Sequence, residues 1–179
     1  MISSSLQSAA ANVRLAVFDV DGVLTDGKLL FGENGEALKI FNTLDGHGLK
    51  MLKQAGVKTA IITGRRSVFV EKRASDLGVD FLYQGREDKF VALKELLQEE
   101  GQNLSLAEVA YIGDDLPDLP AIRQVGFGCS VPNGHYYVRE HSPAVTLSRG
   151  GEGAAREFCD FILAAKGKLD DMLASYLGA

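Results

Sequence analysis

Short apolar runs recur along the chain, and each one ends near a polar or glycine-rich turn. Most of these runs are too short for helices, are rich in β-branched or aromatic residues, and alternate poorly between polar and apolar positions. Strands that are buried on both faces of a parallel sheet have this pattern. We therefore predict six strands, over residues 15–19, 58–64, 79–84, 109–115, 126–131 and 144–147.

Segments with helical signals lie between these strands. Two of them end in glycine, at Gly56 and Gly78, which is a common helix stop, and a third starts at Asp88, a good N-cap residue. A last helix is predicted from about Glu152 to Leu177. Residues 1–13 have neither the basic segment nor the apolar core of a secretory signal, and we expect a frayed lead-in. The alternation predicts an α/β fold: a Rossmann-like parallel sheet with flanking helices and right-handed crossovers.

One segment, residues 28–42, interrupts the crossover between the first strand and the first helix. Its two apolar–polar runs flank Asn34-Gly35, which is a strong β-hairpin signal. A hairpin there would stand over the carboxyl ends of the strands, where α/β proteins bind ligands. Its apolar side chains need cover, either from the parent domain or from other subunits. They are Leu29, Phe31, Leu38 and Ile40.

Length and composition limit the classes of function. The 179 residues suit one domain with a core that needs no disulfide or metal for folding. A formal net charge of -5 argues against nucleic acid as the main partner. No apolar stretch is long enough to span a bilayer, so no membrane association is expected. Only two cysteines occur, which suggests no disulfide framework, and we expect a cytoplasmic protein.

Polar side chains follow four of the predicted strands, and the ends of parallel strands gather at one edge of a sheet. Lys89, Thr63 and Arg65 are expected there beside a cluster of acids. So many carboxylates cannot all stay ionised together without a cation. Their hard oxygen ligands, without a Cys/His set, favour Mg²⁺. The acids are Asp19, Asp21, Asp114, Asp115 and Asp118.

A phosphate ester suits this cluster, because Mg²⁺ and Lys89 would neutralise the phosphoryl group and leave an in-line approach for a nucleophile. Asp19 suits attack on phosphorus, which gives an aspartyl-phosphate. Asp21 can reach the leaving oxygen as general acid and can later activate the hydrolytic water. Thr63 and the backbone N–H groups of residues 19–22 can donate hydrogen bonds to phosphoryl oxygens.

Four motifs in this order, "DVDGVLTDG", "IITGR", Lys89 and "GDDLPD", resemble those of the haloacid dehalogenase superfamily of phosphotransferases, over about residues 15–150. The resemblance implies that Asp19 is the nucleophile and Asp21 the acid/base. It also implies that Mg²⁺ is held by the carboxylates of Asp19 and Asp114 and by the carbonyl of Asp21. Asp115 and Asp118 would support the metal site indirectly or through water.

No insertion is long enough for a separate cap domain, so the resemblance is to the capless branch, whose members form homotetramers through the hairpin. Within that branch the motifs "FNTLDGHGLK", "TGRRS", "QGREDK" and "GGEGAAREF" resemble the family that hydrolyses 3-deoxy-D-manno-octulosonate (KDO) 8-phosphate in lipopolysaccharide synthesis. The resemblance implies one domain over residues 1–179, and a tail, residues 150–179, that starts with a segment folding over a neighbouring active site. The substrate-binding residues that it implies are Asp21, Asn42, Thr43, Leu44, Asp45, Gly46, Lys50, Arg65, Arg73 and Lys89.

This sequence departs from the family pattern at Leu44, where a basic residue is usual, and at Lys50, where arginine is usual. Several features also have a plain structural interpretation. Asp45 could be the N-cap of the first helix, and Lys50 and Arg73 could be solvated surface charges. The glycines of residues 150–153 could be a hinge. No role is assigned to His47 or Arg86, which could lie on the surface.

Two other functions remain open. The same chemistry could serve a nonulosonate 9-phosphate of the sialic-acid type, because the motifs at Asp19 and Asp114 handle only the phosphoryl group. A non-catalytic tetrameric module would be marked by the loss of an essential residue. No such loss is found, since Asp19, Asp21, Lys89 and Asp114 are all present.

Overall fold

The computed structural model describes residues 4–99 and 103–178, and its centre is a six-stranded parallel sheet. The strands of the chain are β1 (Leu15–Phe18), β2 (Leu30–Gly32), β3 (Gly35–Leu38), β4 (Lys58–Thr63), β5 (Phe81–Gln84), β6 (Val109–Gly113), β7 (Phe127–Ser130) and β8 (Ala144–Val145). The central sheet has the order β5-β4-β1-β6-β7-β8, whereas β2 and β3 pair only with each other. The predicted fold class and all six predicted strands are therefore confirmed.

Eight helices of the described residues flank or follow these strands, and short 3₁₀ turns precede β6 and α5. The helices are α1 (Ser4–Ala11), α2 (Thr43–Gln54), α3 (Val68–Leu77), α4 (Lys89–Glu99), α5 (Leu119–Gln124), α6 (Tyr136–His141), α7 (Ala154–Ala165) and α8 (Leu169–Ser175). No helix in the described part of the chain has the length and apolar character needed to cross a bilayer.

Strand β1 lies in the interior of the sheet and pairs in parallel with β4 and β6, so that Leu15 is in register with both Lys58 and Val109. All four of its side chains are buried. Ala16 and Phe18 pack into the core layer below α1, α2, α3 and α7. Leu15 and Val17 pack into the opposite layer, below α4, α5 and α6. Burial on both faces explains the uninterrupted apolar run, and the chain turns polar at Asp19, where the strand ends.

The predicted hairpin is confirmed as a separate two-stranded antiparallel sheet. Gly35 has a φ of +105°, the left-handed conformation that the tight turn requires. Several apolar side chains of the segment are exposed in this chain, above all Phe31 and Ile40, at 63% and 68%. The described residues of this one chain therefore do not cover these apolar side chains.

Two predictions at the ends of the chain are wrong. Residues 4–13 do not form a frayed lead-in, because Ser4–Ala11 is a helix with Ala10 buried, and the following Val13 is buried as well. The last helix is not continuous: α7 ends at Ala165, Gly167 adopts a φ of +66°, and α8 follows. A glycine in this conformation ends a helix because it leaves the right-handed helical region. The helix predicted to start at Asp88, in the stretch "DKFVALKELLQEEG", is α4, and the end of that stretch lies outside the described residues.

Candidate active site

The nucleophile candidate Asp19 follows β1 directly, and its backbone N–H donates to the carbonyl of Ile112 at 3.1 Å. The chain then turns through residues 20–24, where the N–H of Thr25 donates to the Val20 carbonyl at 3.0 Å. Gly22 has a φ of +99°, and a Cβ added there would lie 2.0 Å from Oδ2 of Asp114. The missing side chain therefore allows the Asp114 carboxylate to lie against the turn that carries Asp19 and Asp21.

Lys89, the first residue of α4, connects two acids, one that follows β1 and one in the turn after β6. Its Nζ lies 2.7 Å from Oδ1 of Asp19 and 2.7 Å from Oδ1 of Asp118, and all three side chains are almost completely buried. A single ammonium group between two carboxylates leaves a net negative charge in the interior. Such a cluster needs further positive charge or bound protons to be stable.

Asp118 uses both of its carboxylate oxygens within the protein. Oδ1 accepts hydrogen bonds from the Tyr111 hydroxyl at 2.8 Å and from Lys89 at 2.7 Å. Oδ2 accepts from the backbone N–H groups of Asp114 and Asp115, both at 3.1 Å. Asp118 therefore holds Lys89 and the turn after β6 in place, as an indirect support of the metal site would.

Three carboxylates, those of Asp19, Asp114 and Asp118, each have an oxygen within 4.8 Å of the other two. Because Asp118 already accepts four hydrogen bonds, the oxygens open to a cation belong to Asp19 and Asp114. These are the two carboxylates predicted to bind Mg²⁺, and hard oxygen donors fit that ion. The third predicted ligand, the Asp21 carbonyl, stays a prediction.

The pKa values of these groups record the unbalanced charge. Burial raises the pKa of the Asp19 carboxyl well above its usual value, the nearby Asp118 charge raises it further, and Lys89 opposes both. Burial and the Asp118 charge raise the pKa of Asp114 to about 7. Burial alone would lower the pKa of Lys89, but the carboxylates of Asp19 and Asp118 outweigh it and raise this pKa. A divalent cation beside Asp19 and Asp114 would favour their ionised forms.

Asp21 lies at the rim of this cluster, and its partners come partly from the hairpin. Oδ1 forms an ion pair with the ammonium of Lys39, and Oδ2 lies 3.7 Å from Nε of Arg65. Lys39 also lies 3.1 Å from Oε1 of Glu36. Reasoning from the sequence missed Lys39 and Glu36. Both residues lie in the hairpin that the sequence predicts to stand over the strand ends, and this position could have marked them as candidates for the site.

One cavity of about 360 Å³ opens onto these groups. It brings together six predicted site residues and adds Gly27 and Leu29 from the base of the hairpin, with Gly64, Glu87, Asp115 and Pro117 at the other strand ends. The six are Asp19, Asp21, Thr63, Arg65, Lys89 and Asp114.

Most residues predicted to bind the sugar acid lie elsewhere. Thr43, Gly46, Lys50 and Arg73 line a second cleft of about 200 Å³, together with His47 and Leu77. None of these six lines the first cavity. Asn42 caps α2 by accepting from the N–H of Leu44 at 2.9 Å, and its carbonyl accepts from Nη2 of Arg73 at 3.0 Å. Leu44 lines neither of the two openings and is exposed.

Asp45 has a structural partner far along the chain. Its side chain is buried, and Oδ1 accepts from the backbone N–H of Arg156 at 2.8 Å, in the first turn of α7. Burial raises the pKa of this carboxyl, while the N–H groups of Arg156, Gly153 and Ala155 oppose the rise. Asp45 is thus not the N-cap of α2, which is Asn42, but it caps the N-terminus of α7. This geometry favours a structural role for Asp45, and the predicted contact with substrate stays a prediction.

The residues without an assigned role have local partners. Nε2 of His47 lies 3.0 Å from the hydroxyl of Tyr176, just after α8. Arg86 forms an ion pair with Glu95 of α4. Asp115 accepts from the N–H of Leu116 at 2.8 Å and so begins the turn that carries Asp118.

Comparisons with known proteins show the family to which this chain belongs. A family model described as haloacid dehalogenase-like hydrolase matches residues 30–126, more than half of the chain. The chain belongs to the haloacid dehalogenase-like hydrolases. Among curated members, the KDO 8-phosphate phosphatase KdsC of Escherichia coli is 43% identical over 172 residues, which cover 95% of this chain and 89% of the relative.

Solved structures of this family are also similar over nearly the whole chain. A KDO 8-phosphate phosphatase from Moraxella catarrhalis, in complex with magnesium, phosphate and KDO, has a TM-score of 0.92 and 44% identity, covering 96% of this chain and 97% of its own. A "probable yrbi family phosphatase" from Pseudomonas syringae has a TM-score of 0.94 and 55% identity, covering 98% of both chains.

Proposed function

We propose that this hydrolase is a Mg²⁺-dependent phosphatase that converts KDO 8-phosphate to KDO and inorganic phosphate. The observation that carries the chemistry is the buried contact of Lys89 with Asp19, two residues that line the same cavity as Asp21, Thr63 and Asp114. The substrate is proposed from the relatives, which are phosphatases of this sugar-acid phosphate and match almost the entire chain.

In the proposed mechanism, an Asp19 carboxylate oxygen attacks phosphorus as the bond from phosphorus to the ester oxygen breaks. The departing oxygen of the sugar takes a proton from Asp21, and the products of this step are KDO and the aspartyl-phosphate. Water then attacks the same phosphorus and gives its proton to Asp21. The bond from Asp19 to phosphorus breaks, inorganic phosphate leaves, and both aspartates return to their starting states.

The remaining groups hold the phosphoryl group during both steps. Lys89 lies on Asp19, so its positive charge is beside the reacting oxygen and can stabilise the negative charge of the transferring group. Thr63, at the end of β4, lines the cavity and can donate a hydrogen bond to a phosphoryl oxygen. Mg²⁺ held by Asp19 and Asp114, and by the Asp21 carbonyl, would supply further neutralisation of phosphoryl charge.

We further propose that this protein is a cytoplasmic homotetramer whose subunits meet through the hairpin. Phe31 and Ile40 are exposed apolar side chains that a neighbouring subunit would cover. The second cleft is lined by Lys50 and Arg73 and is separate from the cavity of Asp19. We propose that Lys50 and Arg73 contact the sugar acid bound in the active site of a neighbouring subunit. The glycine-rich tail of the same chain would contact that neighbouring site as well.

A panel of sugar-acid phosphates, assayed for phosphate release with and without Mg²⁺, tests the proposed function. KDO 8-phosphate should be the best substrate, and chelation of Mg²⁺ should remove the activity. A preference for nonulosonate 9-phosphates would refute the proposed substrate but keep the chemistry. Equal rates on KDO 8-phosphate and p-nitrophenyl phosphate would argue against a dedicated sugar-acid phosphatase.

The Asp19→Asn variant tests the covalent mechanism, because it keeps the shape of the side chain but removes the nucleophile. Turnover should vanish while circular dichroism shows an unchanged fold, and substantial Mg²⁺-dependent turnover would contradict an aspartyl-phosphate. Light scattering addresses the assembly separately. A monomer in solution would contradict both the tetramer and the sharing of sites.

A further inference from the structure

Lys39 follows strand β3 of the hairpin, and its side chain is only 3% exposed. Its ammonium contacts Oδ1 of Asp21 and lies 3.1 Å from Oε1 of Glu36. We infer that Lys39 is a positioning residue, which holds the Asp21 carboxyl in the orientation that delivers its proton to the leaving oxygen. The inference rests on the proposed function, since it assigns a partner to the acid of that reaction.

The support of Lys39 extends into the body of the domain. The other oxygen of Glu36, Oε2, accepts a hydrogen bond from the hydroxyl of Ser67. Ser67 is the N-cap residue of α3, and its backbone N–H donates to Oε1 of Gln84 at 2.8 Å, at the end of β5. Glu36, a residue of the hairpin, therefore contacts Lys39 through one oxygen and is anchored to the edge of the central sheet through the other. A buried lysine between two carboxylates, one of them anchored in this way, has little freedom to leave Asp21.

The two oxygens of Asp21 have unequal partners. Lys39 contacts Oδ1 directly, whereas Nε of Arg65 lies 3.7 Å from Oδ2. This Nε is buried and has no hydrogen-bond partner among the described residues. Oδ2 is therefore not engaged at hydrogen-bond distance by Arg65, and this oxygen remains available to the leaving group. Lys39 would fix the carboxyl by one oxygen and leave the other for proton transfer.

The expected effect of removing Lys39 on the rate depends on the leaving group of the substrate. A general acid contributes roughly 10²–10⁴-fold to a rate when the departing oxygen needs a proton. A sugar alkoxide is such a group, whereas p-nitrophenolate is stable without a proton and departs with little help. Loss of the orientation of Asp21 should therefore slow the cleavage of alkyl phosphates selectively. A residue that merely stabilises the fold would slow both reactions alike.

The Lys39→Met variant tests this inference through kcat/KM, which reports on the first chemical step. We expect a loss of about 30-fold or more on KDO 8-phosphate, and less than about threefold on p-nitrophenyl phosphate. Lys39→Arg should recover part of the activity on the sugar phosphate. Lys28→Met is the matched control, because Lys28 lies in the same segment but is solvent-exposed and, among the described residues, forms an ion pair with Asp26 and not with Asp21. It should behave like the parent.

A double-mutant cycle with Asp21→Asn separates positioning from direct binding of the substrate carboxylate. If Lys39 acts through Asp21, adding Lys39→Met to Asp21→Asn should lower kcat/KM on KDO 8-phosphate by less than about threefold. Additive losses, equal losses on both substrates, or no loss in Lys39→Met would each overturn the inference. Failure of the proposed function has another signature: the parent would not release phosphate, or Asp19→Asn would remain active.

Discussion

The electrostatic cost of the acid cluster can be measured with one substitution, Asp114→Asn. Burial and the Asp118 charge raise the pKa of Asp114 to about 7 in the folded state, against about 3.9 in an unfolded chain. Between these two pH values the folded state holds a proton that the unfolded state has lost, so the free energy of unfolding falls as pH rises. With about 1.4 kcal/mol for each pKa unit, ionisation of Asp114 costs the metal-free fold about 4 kcal/mol above pH 7.

Asparagine has nearly the same shape as aspartate but does not titrate in this range, so the variant should escape this cost. Relative to the parent, it should gain about 4 kcal/mol of unfolding free energy at pH 8 and only about 1.5 kcal/mol at pH 5, from the same linkage relation. Urea denaturation in the presence of a chelator, followed by circular dichroism at pH 5, 6, 7 and 8, measures this difference. Asp170→Asn, on the exposed surface of α8, is the control and should show no such trend.

Parallel pH profiles for the parent and Asp114→Asn would refute this reasoning, because they would mean that Asp114 has the same pKa in both states. Addition of Mg²⁺ provides a second check. The cation competes with the bound proton, so it should stabilise the parent more at pH 8 than at pH 5. The variant, which lacks one proposed ligand, should gain little at either pH.

Three further substitutions test other contacts. Asp45→Ala removes the cap of α7 and should lower the free energy of unfolding by about 1–2 kcal/mol in urea denaturation; unchanged stability would mean that this cap is dispensable. Tyr111→Phe leaves the Asp118 carboxylate with three hydrogen-bond donors, so the free energy of unfolding should fall by about 1 kcal/mol in urea denaturation. Lys89 stays in place, so phosphatase assays should show less than a tenfold loss in kcat. Gly22→Ala places a Cβ about 2.0 Å from Asp114 and should weaken Mg²⁺ binding at least about tenfold in calorimetry, and binding equal to the parent would show that the turn can relax.

Much of the sheet and of the phosphate-handling edge could be predicted, because both depend on local patterns. Runs buried on two faces indicate interior strands, and the polar residues that follow them must meet at one edge of a parallel sheet. Asp19 and Lys89, 70 positions apart, could therefore be expected in one place, and Lys89 does contact Asp19.

The partners of these groups depend on long-range packing that no local pattern reveals. Asp45 looked like the start of its own helix, yet its carboxylate caps a helix that begins more than 100 residues later. Lys39 is one of two lysines in the segment predicted to form the hairpin, and only the docking of the hairpin on the sheet edge brings it to Asp21. Helix α1 has few large apolar residues, so its order depends on packing against α7 and not on its own sequence.

The interior position of β1 has a consequence for synthesis of the chain. The strand that bears Asp19 is made early, but its second neighbour, β6, pairs Leu15 with Val109, 94 positions later. At roughly 5–20 residues per second, translation of that interval takes about 5–20 s. During this time the edge of β1 that will pair with β6 has no partner strand. We expect a nascent chain arrested before β6 to bind general chaperones, and one extended past β7 to be released from them.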